Sequence, residues 1–151
     1  MARAVVMLML AGVALGACGG GERLGPQAYA EHASKICRVA TRHARGVDIP
    51  AFTRPARAAA AIDALVEEQR GALAELRDLK PEKERIAALN RWLALLDQML
   101  DEADLVVVQL EGADPTAATE SALRVTALEE RSAELARKHD ITPCRFADLQ
   151  V

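Results

Sequence analysis

Between residues 86 and 110 the chain reads IAALNRWLALLDQMLDEADLVVVQL. Ile86, Leu89, Leu93, Leu96, Leu100, Ala103, Val107 and Leu110 recur here at alternating spacings of three and four. Residues spaced in this way share one face of an α-helix, and such a seam suits a helix packing at a shallow angle within a bundle. Pro81-Glu82 opens the segment and Gly112 closes it, so about thirty residues span ~45 Å at the α-helical rise. Trp92 beside Leu93, and Met99 among apolar neighbours, read as core or boundary.

The flanking segments carry the same period. A second helix is expected from Thr53 as N-cap and Pro55 in the first turn to about Asp78–Lys80, because Pro81 disfavours helical geometry in the residue before it. It buries Ile62, Leu65, Val66, Leu73 and Leu76. Nearer the N-terminus, Pro26 and Gly46 bracket a helix, the first as a first-turn proline and the second as a left-handed terminator. Its inner stripe is Tyr29, Ala33, Ile36, Ala40 and His43, flanked by Cys37 and Val39. On the C-terminal side, Asp114-Pro115 caps a helix that runs to about Lys138 and buries Ala118, Ala122, Val125, Leu128 and Leu135. Short links favour antiparallel neighbours. The fold expected over residues 27–151 is all-α, an antiparallel up-down-up-down four-helix bundle. Composition agrees: 51% of the 151 residues are hydrophobic, too many for a disordered chain, and only 3% are aromatic.

Residues 1–17 have a different character. Arg3 precedes an apolar run from Ala4 to Ala17, which fits a secretory leader and falls short of the ~20 residues that cross a bilayer as a helix. The run ends Leu15-Gly16-Ala17-Cys18, which resembles the lipobox of bacterial lipoproteins. That resemblance covers residues 1–18. It implies a diacylglycerol on the Cys18 thiol and cleavage that makes Cys18 the new N-terminus. The alternative is an ordinary signal peptide cut near Ala17, leaving a free thiol. Residues 18–26, rich in glycine, read as a short flexible tether that keeps the domain near the membrane. The anchored protein is expected at the cell membrane, facing the extracytoplasmic side.

With Cys18 lipidated, Cys37 and Cys144 remain in an oxidising compartment, where two thiols are expected to pair. Such a bond ties the first helix to the tail behind the fourth. A lipobox, a glycine tether, a Cys in the first of four Ala/Leu-rich helices and a Cys near the C-terminus also resemble a group of uncharacterised actinobacterial lipoproteins. That resemblance rests on layout. It implies a disulfide-tied helical bundle and no activity.

Motifs of catalysis and of cofactor or metal binding do not stand out. His32 and His43 lie eleven residues apart, ~16 Å along a helix, too far to share a metal unaided. Glu-x-x-His, Cys-x-x-Cys and Gly-x-Ser-x-Gly are all missing from the sequence. No enzyme activity, cofactor or metal is expected. The near-neutral charge of −3 and the scattered aromatics give no reason to expect nucleic acid.

Charge layout is more informative. From Trp92 to Leu123 there is no Lys or Arg, and Asp97, Asp101 and Asp104 share one helix face as a candidate acidic recognition face. Lys35, Arg38, Arg42, Arg45, Arg54 and Arg57 gather around the end of the first helix and the start of the second. In an up-down-up-down bundle the ends of the first and third helices share a pole, where these clusters could neutralise one another; the plainer reading is solvated faces with weak surface pairs, ~0–1 kcal/mol each. The function expected is a non-catalytic interaction or structural module of the cell envelope, with an envelope protein as partner. The alternative is a small-ligand-binding bundle.

Overall fold

The computed structural model describes residues 23–146 and Leu149. The expected leader, the lipidation residue Cys18 and the glycines after it lie outside the described residues. The chain forms α1 (Pro26–Gly46), α2 (Pro55–Asp78), a single 3-10 turn at Lys83–Arg85, α3 (Ile86–Glu111) and α4 (Pro115–Lys138). The four helices pack against one another. No helix among the described residues is long and apolar enough to cross a membrane.

Helix starts follow the proline logic. α1, α2 and α4 each carry Pro in the first turn, where the missing N–H costs nothing. Asp114 caps α4, its Oδ1 accepting from the Ala117 N–H at 3.0 Å. Three boundaries differ from expectation. Thr53 does not cap α2; Arg54 occupies that position without a side-chain bond. Gly46 ends α1 without a positive φ, and the left-handed residues are Ala113 (φ 56°) and Asp140 (φ 58°). Regular α3 begins at Ile86 rather than Pro81, because Pro81 and Glu82 are tied to the chain ahead of α1. The Leu24 N–H donates to the Lys80 carbonyl at 2.7 Å, and the Glu82 N–H donates to the Leu24 carbonyl at 3.2 Å. Arg23 Nη1 adds a bond to the Pro81 carbonyl at 2.9 Å. The end of the expected tether is therefore docked, and Pro26 already belongs to α1.

α3 is the central helix, packed along both α2 and α4, while α1 lies more lightly against α2. Its seam is buried from Leu89 to Leu110, with Ile86 only half-buried at the start. Being flanked on two sides, α3 buries a wider arc than the seam alone, adding Trp92, Met99 and Val106. In α1 the inward residues are Tyr29, Ala33, Cys37, Ala40 and Ala44. Ala44 takes the inner place expected of His43, which points outward to Glu68 of α2 with half of its side chain exposed. Gln69, buried on α2, donates from Nε2 to the Ala40 carbonyl at 3.2 Å and ties the two helices.

Cys37 and Cys144 are joined by a disulfide, with S–S 1.98 Å. The closed loop, 107 residues in sequence separation, is long enough for ~4.7 kcal/mol in the chain-entropy view of such bonds. Four further hydrogen bonds, to three side chains, hold the tail that carries Cys144. Ser34 Oγ accepts the Thr142 N–H at 2.8 Å, and Thr41 Oγ1 accepts the Arg145 N–H at 2.9 Å. Glu129 accepts from Arg145 Nη1 at 2.8 Å and from the Phe146 N–H at 3.0 Å. Ile141 and Phe146 are buried in the same core.

Trp92 is fully buried, and its indole N–H has no partner among the described residues. Trp92→Ala is expected to lower unfolding free energy by about 3–5 kcal/mol through lost burial and a residual cavity. Trp92→Phe should cost less, since it also removes a buried donor whose lack of a partner costs about 1–3 kcal/mol. Denaturant unfolding followed by circular dichroism distinguishes them, and equal losses would place the energetic weight elsewhere.

Candidate functional site

The three carboxylates of the candidate acidic face sit on the flank of α3 that turns toward α2. Asp97 Oδ2 lies 3.1 Å from Arg77 Nη2. Arg70 hydrogen-bonds Asp104 and lies 3.8 Å from Asp101 Oδ1, with Glu67 at 3.7 Å on its own helix. The structure therefore brings Asp97, Asp101 and Asp104 together as one side of a ladder of ion pairs across the α2–α3 seam. The Asp104 hydrogen bond, above the other nearby carboxylates, raises the already high pKa of Arg70. Each pair is half-exposed, so it contributes ~0–1 kcal/mol. No group of three or more His, Cys, Asp or Glu side chains among the described residues is arranged to hold a metal ion.

The acidic face and the basic cluster do not pair with one another among the described residues. The partners of the acids are Arg70 and Arg77 on α2 and, for Glu102, Arg124 on α4 at 2.9 Å. Lys35, Arg38, Arg42, Arg45, Arg54 and Arg57 are all exposed and make no ion pair among the described residues. The physical reason is position. Arg70 and Arg77 stand seven residues apart on the α2 face that abuts α3, within reach of Asp97–Asp104, whereas the basic residues of α1 are exposed on a helix that packs against α2.

Two open grooves follow the helix seams. One, about 490 Å³, lies between α3 and α4 and is lined by Leu105, Ala127 and Leu128, with Asp101, Glu102, Arg124 and Arg131 at its rim. The other, about 440 Å³, lies between α1 and α2 and contains His32, Ile36, Val39 and His43. In both, charged side chains ring an apolar floor, and the closest of them (Glu102 with Arg124, His43 with Glu68) engage each other.

A polar cluster not evident in the sequence forms where Arg85 reaches His139. Arg85 Nη2 lies 3.0 Å from His139 Nδ1. Since a guanidinium can only donate, Nδ1 is the acceptor and the imidazole is neutral. Burial, with the Arg85 charge second, holds the His139 pKa below the usual imidazole range. Burial also raises the pKa of Tyr29, an effect that Arg85 partly offsets. The Arg85 contact, which depends on the 3-10 turn before α3, had no local signature. Ser34, Thr41 and Glu129 were likewise missed as the residues that hold the tail, because their partners lie 108, 104 and 16–17 residues away.

Comparison with models of known protein families, with curated proteins and with solved structures gave no match. The reading of the site therefore rests on its own geometry.

His139 supplies a pH test. Its folded pKa lies below its unfolded value, so the unfolded chain binds the proton more tightly. The resulting contribution to stability is present above the ordinary imidazole pKa of ~6.5 and is lost as pH falls below it. Denaturation midpoints measured from neutral pH downward are expected to drop more steeply for the wild type than for His139→Gln. Parallel curves would show that His139 carries no such linkage.

Proposed function

We propose that the protein is an extracytoplasmic lipoprotein, anchored through Cys18, whose helical domain serves the cell envelope as a non-catalytic interaction or structural module. The observation that carries this reading is the Cys37–Cys144 bond. A structural disulfide fits an oxidising compartment. It also leaves Cys18, directly after Leu15-Gly16-Ala17, as the one remaining cysteine of the three. A leader, a lipidated cysteine and a pair of bonded cysteines account for all three thiols.

What supports the non-catalytic reading is the way titratable side chains are engaged. Asp97, Asp101, Asp104, Glu102, Glu68 and Glu129 meet basic partners across helix seams or in the tail; Asp101 and Glu102, which share the rim of the α3–α4 groove, are turned to Arg70 and Arg124. The interior is filled by Trp92, Tyr29, Ile62, Leu65 and their neighbours. A second reading, capture of a small ligand, rests on the apolar floor of the α3–α4 groove.

We further infer an up-down-up-down course for the four helices. Arg70 meets Asp104 while Arg77 meets Asp97, so advance along α2 is retreat along α3. On the other side of α2, His43 meets Glu68 while Leu24 pairs beyond the end of α2, with Pro81. The three residues between α3 and α4, Gly112–Asp114, leave room for little but a reversal.

The anchor is tested by Cys18→Ser. Wild-type protein should sediment with membranes and carry a diacylglycerol at an N-terminal Cys18 by intact mass. The variant should lose that mass and keep an uncleaved leader. A wild-type protein recovered with a free Cys18 thiol, or cut elsewhere, would overturn the reading.

A further inference from the structure

Lys35, Arg38, Arg42 and Arg45 follow one another on α1 at spacings of three, four and three. This puts them on one flank of the helix in a stripe ~15 Å long. Arg54 and Arg57 extend the positive surface past the connector into the start of α2. All six are exposed, and none has an ion-pair partner among the described residues. Glu31 at the head of the stripe accepts a hydrogen bond from Gln27 at 3.0 Å, and Asp140 shares a shallow groove with Arg38 without pairing to it. The arrangement is asymmetric. The protein as a whole is acidic, yet Asp97, Asp101, Glu102 and Asp104 of α3 are matched by arginines while the cations of α1 are left open.

We propose that this stripe rests on the anionic phospholipid headgroups of the membrane holding the chain, so that α1 lies along the surface rather than standing away from it. The inference builds on the reading of Cys18 as lipidated. Two observations select a lipid surface as the occupant. The first is charge: each Lys or Arg brought near an anionic bilayer strengthens binding about fivefold (~1 kcal/mol). The second is reach. Leu24 is held by hydrogen bonds to Lys80 and Glu82, and it stands six residues after Cys18, a span of at most ~20 Å when fully extended. The first turn of α1 is thus confined near the headgroups. The stripe begins at Lys35, nine residues (~14 Å) along α1 from Pro26, and confinement of this kind acts as a high effective concentration. The two acyl chains of a diacylglycerol suffice for stable attachment, so the stripe sets the orientation of the domain rather than the attachment itself.

The test uses full-length lipoprotein reconstituted in vesicles of zwitterionic lipid, with or without an anionic phospholipid. Intact mass first confirms the diacylglycerol on Cys18. The readout is the rate at which a water-soluble amine reagent acylates Lys35, with Lys138, on α4 and paired with Glu134, as internal reference. At low salt, Lys35 should react about fivefold or more slowly on anionic vesicles than on zwitterionic ones, and ~1 M salt should abolish the difference. Lys138, at the end of α4 and outside the stripe, should show a smaller difference. The triple variant Arg38→Gln, Arg42→Gln, Arg45→Gln should lose the protection of Lys35. The same charge removed at Arg91, Arg131 and Arg137 should leave it intact. Equal Lys35 rates on the two vesicle types in a lipidated protein would overturn the placement and assign the stripe to an acidic protein surface or to solvent. A chain without diacylglycerol would overturn the anchor itself, and this placement with it.

Discussion

Cys37 lies near the midpoint of α1, and Cys144 lies six residues beyond the end of α4; the bond between them fixes the relation of the first helix to the rest. α3 is held on both sides by long packing against α2 and α4, whereas α1 meets its neighbour more lightly. Its inward residues are small, apart from Tyr29, so each buries little apolar area at ~25 cal/mol per Å². The disulfide compensates by restricting the unfolded chain rather than by adding contact. Once it is in place, Ser34, Thr41 and Glu129 find the tail amides at hydrogen-bond distance, and Ile141 and Phe146 close the core. Cross-link, clamp and apolar plug are one device.

The same arrangement explains the distribution of charge. α2 and α3 face each other along their length, so acids on one flank of α3 meet arginines on α2 at matching heights. α1 lies outside that pairing, and its outer flank keeps Lys35, Arg38, Arg42 and Arg45 in solvent. Arg70, Arg77 and Arg124 thus pair with acids of α3, while the cationic flank of α1 has no ion-pair partner among the described residues and forms an exposed basic face. That face belongs to the helix joined most directly to the proposed anchor.

The four helices were legible because their signals are local: three-and-four spacing of Leu and Val, first-turn prolines, and Asp114 as a cap. Pairing of Cys37 with Cys144 followed from counting thiols in an expected compartment. What escaped notice was set by tertiary position. The pairing of Leu24 with the α2–α3 loop moved the start of α3 to Lys83–Ile86. The turn of α1 about its axis exchanged His43 for Ala44 on the inner face, a difference of one residue that periodicity alone does not resolve. Of the candidate site, the shared face of Asp97, Asp101 and Asp104 was readable from spacing. Their arginine partners were not, because which of many arginines stands opposite depends on helix register.

Each cysteine has a separate proposed role, and disulfide mapping tests that division most directly. Unreduced protein taken from the membrane fraction of its own cells, digested and analysed by mass spectrometry, is predicted to give one cross-linked product joining the peptides of Cys37 and Cys144, with Cys18 in no disulfide. Free thiols at both Cys37 and Cys144, or a bond from either of them to Cys18, would contradict it.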